Sequence, residues 1–95
     1  MSTDELAEIL LKKISCSHIT VEDESYFHRG HTHKGQGGHY KVTLVSQAFE
    51  GGSLVQRHRA VFDALEAQMK KEIHALSAET YTPKEWEAKK INQIE

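Results

Sequence analysis

The chain has 95 residues, seven of them histidine and one of them cysteine, and 12 lysines and arginines set against 14 aspartates and glutamates give a formal charge of −2. That length is expected to form one domain that buries a little over half of its unfolded surface, and the near-neutral balance supplies no field for indiscriminate binding to nucleic acid or membrane. A lone Cys16 excludes both an internal disulfide and a cluster held by four of the chain's own thiolates, and points to a reducing compartment. With no long apolar run and an acidic rather than basic beginning, the protein reads as soluble, untargeted and cytoplasmic.

Ser2-Thr3-Asp4-Glu5 fits a capping box, and Leu6, Ile9, Leu10 and Ile14 recur at helical spacing before Lys12 and Lys13 close the helix. Cys16, in the Ser-Cys-Ser break that follows, reads as a small helix-end residue rather than a reactive thiol. From Ile19 the period becomes two, and residues 19–27 predict an exposed edge strand. Glu22-Asp23-Glu24 there is a solvated acidic edge rather than a metal site, because successive strand residues face opposite ways.

Residues 27–40 hold four histidines, His28, His31, His33 and His39, and four glycines. Glycine at this density lets the backbone approach a bound group closely, and neutral imidazole offers a lone pair to a metal. A ligand loop and a solvated hairpin loop both fit this stretch, since connections of this length are either functional or without structure of their own. Tyr40, Val42 and Leu44, alternating with Lys41, Thr43 and Val45, predict the second strand.

A turn over residues 47–52 leads to a second capping box, Ser53-Leu54-Val55-Gln56, and one long helix. Its apolar stripe is read as Leu54, His58, Val61, Phe62, Leu65 and Met69, with Arg57, Arg59, Asp63, Glu66 and Lys70 outside it and His58 as a core histidine. Residues 73–78 predict a third strand with His74 near its start. Thr82-Pro83-Lys84-Glu85 opens a short last helix with Thr82 as N-cap, Trp86 seals the core, and residues 88–95 form a frayed tail.

The order helix, strand, strand, helix, strand, helix is that of a single small α+β domain, with helices packed on a three-stranded mixed sheet. If the third strand lies parallel to the second, His74 comes to the sheet end that carries the histidine loop, because a helical crossover is how parallel neighbours are joined.

Several short motifs in fixed order then carry a resemblance. Asp23-Glu24-Ser25-Tyr26, His39-Tyr40-Lys41-Val42-Thr43-Leu44-Val45-Ser46, Phe49-Glu50-Gly51, Gln56-Arg57-His58-Arg59, Ile73-His74-Ala75-Leu76 and Tyr81-Thr82-Pro83-Lys84-Glu85-Trp86 together resemble the BolA family. The resemblance implies a KH-like fold of the second topological type. It also implies partnership with a monothiol glutaredoxin through a bridging [2Fe–2S] cluster, with the glutaredoxin's cysteine and a glutathione as two of the ligands. The family's downstream histidine ligand falls on His74 and its loop ligand on His28, with His31, His33 and His39 as alternatives; His39, which opens the second strand, reads as structural. A monomer alone and a heterodimer with the glutaredoxin are expected, with no membrane partner.

Three functions compete. The first is an accessory protein without catalysis of its own, in iron–sulfur trafficking or iron sensing; no Ser-His-Asp arrangement, activated cysteine or P-loop is visible. The second is transcriptional regulation by DNA binding, as the resemblance also implies, with Arg57, Arg59, Lys70 and Lys71 as the contacts and Lys84, Lys89 and Lys90 nearby. Gly35-Gln36-Gly37-Gly38 matches the GxxG of KH domains literally, but it lies between two strands rather than two helices. The third is a zinc, nickel or copper buffer built on the loop histidines.

Overall fold

Ser2 opens the first helix as its capping box predicts. In α1, Thr3–Lys13, the Ser2 hydroxyl accepts from the Glu5 N–H at 3.1 Å and a Glu5 carboxylate oxygen accepts from the Ser2 N–H at 3.0 Å. The computed structural model describes residues 1–25 and 38–94, without the side chains of 92–94. Leu6 and Leu10 are fully buried on one face of α1, and Ile14 follows them into the core.

Three strands form one mixed sheet in the order β1, β2, β3. The strand β1, His18–Asp23, runs antiparallel to β2, Gly38–Val45, which runs parallel to β3, Ile73–Tyr81. β1 is an edge strand, as the acidic alternation predicts, though it ends at Asp23 rather than reaching residue 27. The connection from β2 to β3 passes through a 3₁₀ turn, Gln47–Phe49, and helices α2, Leu54–Ala64, and α3, Glu66–Met69. At the turn before α2, Gly51 has φ +78°, a conformation that suits a residue without Cβ. The last helix, α4, is Pro83–Ile94, and it includes most of the tail that the sequence reading left frayed.

Two faces of the sheet follow from this register. Tyr40, Val42 and Leu44 point inward against Leu6, Leu10, Val61 and Leu65, with Ile19 and Val21 packed beside them. Their neighbours Lys41, Thr43 and Val45 therefore face outward. Gly38 shares the inner face with Tyr40, and a Cβ on Gly38 would meet the Tyr40 ring at 2.7 Å, so the ring lies back over a position that only glycine leaves open. The Tyr40 hydroxyl donates to the Met1 carbonyl at 2.8 Å, tying the start of β2 to the start of the chain.

Two predictions about the long helix are corrected. The helix breaks at Leu65, whose φ of −107° and ψ of 18° lie outside the helical region, and Lys13 Nζ donates to the carbonyl of Ala64 at 3.0 Å where α2 ends. The buried face is also rotated. Arg57, Val61, Ala64 and Leu65 point inward, whereas His58 is exposed and Leu54 is 64% exposed. The cause is the guanidinium of Arg57. It donates to both carboxylate oxygens of Glu85, at 2.7 and 3.1 Å, and lies 6.0 Å from the Phe49 ring centroid, so a charged side chain occupies the inward position with its charge answered.

Glu85 also completes the predicted start of α4, since Thr82 Oγ1 accepts from the Glu85 N–H at 3.2 Å and Glu85 Oε1 accepts from the Thr82 N–H at 2.8 Å. Trp86 packs not into the main core but on the outer face. Its ring stacks on His18 at 4.9 Å and meets Tyr81 at 5.3 Å, and both of these pair with Val45 across the sheet.

Candidate functional site

At the sheet end opposite Trp86, the register between β2 and β3 shifts. Gly38 pairs with Ile73, but the next residue, His39, pairs with Ala75. His74 is the extra residue of a bulge, a device that re-aims side chains and is uncommon between parallel strands. Ile73 is buried in the core, His74 and Ala75 are both exposed, and Leu76 returns to the core side. His74 and Ala75 thus stand together opposite His39 on the outer face, and the rings of His39 and His74 lie 5.0 Å apart between centroids at 57°.

The backbone of His39 is held on both sides. Its carbonyl accepts from the Glu24 N–H at 2.7 Å, and its N–H donates to Ser25 Oγ at 3.0 Å. Ser25 in turn donates its N–H to Asp23 Oδ1 at 2.9 Å. The Ser25 hydroxyl first, and then its N–H, hold the Asp23 carboxyl below the ordinary carboxylate range, with a smaller contribution from nearby His39. On the β3 side, the Gly38 N–H donates to the Glu72 carbonyl at 2.7 Å. A short network therefore fixes the strand end from which His39 projects.

The sequence reading brought His74 to the end of the sheet where the histidine loop lies, and the parallel register does so. The histidine it meets is His39, to which that reading gave a structural role. His28, His31 and His33 lie outside the described residues. Two imidazoles make half of a four-coordinate ligand set for iron or zinc, and among the described residues no group of three or more His, Cys, Asp or Glu converges as a metal site. The remaining ligands of any metal group held here come from residues 26–37 or from outside the chain.

The bulge left a trace in the sequence. Ile73 and Leu76 are three apart, and both sit on the core side of a strand, which strict alternation forbids. That spacing is a sequence signal of an extra residue that the strand reading missed; the register that sets His74 and Ala75 opposite His39 comes from the structure.

The residues weighed for nucleic acid separate. Arg57 is turned inward and engaged by Glu85, so it presents no cation to a phosphate, which corrects its place in that set. Arg59, Lys70 and Lys71 are exposed, and Lys70 lies 3.6 Å from Glu66. Cys16 is half-buried, its thiol accepted by the Ile14 carbonyl at 3.4 Å, and burial pushes its ionisation up, away from a nucleophilic role.

A family model described as BolA-like protein matches residues 10–85. The chain belongs to the BolA-like family. Its BolA-like domain is 34% identical to the DNA-binding transcriptional regulator BolA of Haemophilus influenzae, over 93% of this chain and 84% of that one. It is 41% identical to SufE-like protein 1, chloroplastic/mitochondrial, of Arabidopsis thaliana, over 84% of this chain but only 23% of that longer protein. The crystal structure of a bol-like protein from Babesia bovis superposes with a TM-score of 0.78 at 36% identity, covering 95% of this chain and 94% of the other. The BolA-like fold is thus a small α+β domain with a three-stranded mixed sheet and four helices. No helix among the described residues is long and apolar enough to cross a membrane.

Proposed function

We propose that this BolA-like protein is an accessory protein that lends His74 and His39 to a [2Fe–2S] cluster shared with a monothiol glutaredoxin, whose cysteine and bound glutathione supply the other ligands. The spacing of the two rings carries this reading. Two imidazoles on one tetrahedral metal, with metal–nitrogen bonds of about 2 Å, have centroids about 5 Å apart, and His39 and His74 stand at 5.0 Å. His74 is exposed and His39 half-buried, so one side of a metal held between them would be open to a second protein. His28, which the family resemblance favours as the loop ligand, is the competitor to His39.

A [2Fe–2S] cluster with two imidazoles on one iron is less negative than one held by four thiolates and has a higher potential. The chain's own contribution is positional: the bulge sets His74 opposite His39, and the hydrogen bonds from Glu24 and to Ser25 fix the strand end beneath it.

Visible circular dichroism of the protein mixed with a cluster-loaded monothiol glutaredoxin and glutathione tests the reading. A spectrum distinct from that of the glutaredoxin alone is expected for wild type and for His31→Ala and His33→Ala, and is lost in His74→Ala and His39→Ala. Loss in His28→Ala with retention in His39→Ala transfers the second ligand to the loop, and an unchanged wild-type mixture contradicts cluster sharing.

The relative named as a DNA-binding transcriptional regulator favours a second reading, DNA binding through exposed Arg59, Lys70 and Lys71. Removing three phosphate contacts reduces the salt slope of binding by about 3. A mobility shift of duplex DNA at low salt that weakens in Arg59→Ala/Lys70→Ala/Lys71→Ala supports this reading, and no shift for wild type excludes it.

A further inference from the structure

Among the described residues the sheet has two outer edges, β1 and β3, since each pairs only with β2. The two differ in character. β1 has six residues and ends in Glu22 and Asp23, both exposed, and charge of this kind blunts a strand edge against pairing with another chain. β3 has nine residues, and its carboxylate, Glu79, is engaged within the chain by Lys41 at 3.1 Å and by the Tyr81 hydroxyl at 2.8 Å.

The ladder names the backbone groups at the β3 edge. The Ser46 N–H donates to the Tyr81 carbonyl at 2.9 Å, so Tyr81, and by alternation Glu79 and Ser77, turn their backbone groups toward β2. Leu76, Ala78 and Thr80 therefore turn theirs to the outer edge. Among the described residues nothing bonds the N–H or carbonyl of Leu76 or Ala78, while the Thr80 carbonyl accepts from Arg57 Nη1 at 3.4 Å. The bulge at His74 and the guanidinium of Arg57 thus bound an unpaired stretch of edge. The turn of α2 that sends Arg57 there also carries Leu54 and Val55, 64% and 63% exposed, so apolar surface borders that stretch.

We propose that β3 pairs with β3 of a second copy of this chain, antiparallel about a two-fold axis at Ala78, so that one sheet runs through both chains. Self-match singles out this occupant. In that register Ala78 faces Ala78 and Leu76 faces Thr80 of the second copy, and each pair exchanges both of its hydrogen bonds. The Thr80 carbonyl has a second lone pair for this after Arg57 takes one. On the outer face, exposed Ser77 stands opposite Glu79 of the second copy, a hydroxyl donor against a carboxylate, and no like charges are directly opposed. A register centred on Ser77 instead sets Thr80 against the bulge at His74, where the ladder is already broken. The association uses neither His39 nor His74, so it stands or falls apart from the cluster reading, and it replaces the monomer expected from the sequence with a dimer.

Amide hydrogen exchange of the ¹⁵N-labelled full chain, followed by nuclear magnetic resonance under reducing conditions, tests the pairing. Between about 20 μM and about 1 mM the amides of Leu76, Ala78 and Thr80 are expected to gain about tenfold in protection, whereas those of Ser77, Glu79 and Tyr81, already bonded to β2, change less. Sedimentation equilibrium is expected to show twice the chain mass at the higher concentration. Ala78→Pro removes an N–H that faces away from β2, so it spares the ladder and should leave the chain folded and monomeric. Circular dichroism verifies that fold, and if the variant does not fold, the exchange pattern of wild type decides. A wild-type monomer at the higher concentration overturns the proposal. So does a dimer in which Leu76, Ala78 and Thr80 gain no protection over their neighbours, or a folded Ala78→Pro that associates as wild type does.

Discussion

Arg57 and Glu85 show how one charged pair organises a domain of this size. The Arg57 guanidinium holds the Glu85 carboxyl down to about 2, from an ordinary value near 4.5, and the Thr82 N–H adds to the effect. A carboxylate with a lowered value stabilises the fold fully above its unfolded value, and that contribution is lost as pH falls through the folded one. Wild type should therefore exceed Glu85→Gln in melting temperature above about pH 5, with the gap closing between 4.5 and about 2. A gap that stays constant down to pH 2 would show that Glu85 acts only through its shape. Because the Glu85 side chain is 47% exposed, solvent screens much of the ion pair, and the stronger effect is expected from the inward partner. Arg57→Ala empties a buried position and removes the guanidinium's hydrogen bonds, and should cost roughly 2 kcal/mol in urea unfolding.

Elements differ in how fully their residues announced them. Both capping boxes, the proline-led start of α4 and the alternation of β2 were legible because each depends on a few adjacent residues. The orientation of α2 was not. Its apparent stripe of Leu54, His58 and Phe62 is as apolar as the true inward set, and only Glu85, 28 residues away, decides that Arg57 turns inward. The break at Leu65 has no glycine or proline to mark it. Trp86 was read as a core residue, yet it anchors α4 to the opposite side of the sheet through His18 and Tyr81. Trp86→Ala should lower stability by roughly 2 kcal/mol, less than a fully buried tryptophan, because the ring is only half-buried. In that variant α4 is expected to lose hydrogen-exchange protection ahead of β2. Equal protection of α4 and β2 would show that the helix is held by something other than Trp86.

At the scale of the whole molecule, the sheet separates two tasks. Its inner face binds α1 and α2 and supplies the core, whereas its outer face carries an aromatic lock at one end and a histidine pair at the other. The family and the fold class were legible from short motifs and element order. The pairing of His39 with His74 was not read from the sequence, because it depends on a bulge that sets two residues of β3 opposite one of β2 and whose sole trace is the three-residue spacing of Ile73 and Leu76. The same bulge lets Ile73 and Leu76 both enter the core, so core packing and the placement of His74 are one structural event. The proposed sharing of a cluster rests on that arrangement, in which His39 and His74 stand side by side at one end of the sheet and a partner would supply the remaining ligands.

The most direct test is pulsed electron paramagnetic resonance of the reduced mixed complex, with only this protein labelled with ¹⁵N-histidine. Two strong ¹⁵N couplings are predicted for wild type, and one for His39→Ala and for His74→Ala in whatever cluster-bearing complex forms. No coupling in wild type would contradict ligation by this chain, and two couplings persisting in His39→Ala would contradict the pairing of His39 with His74.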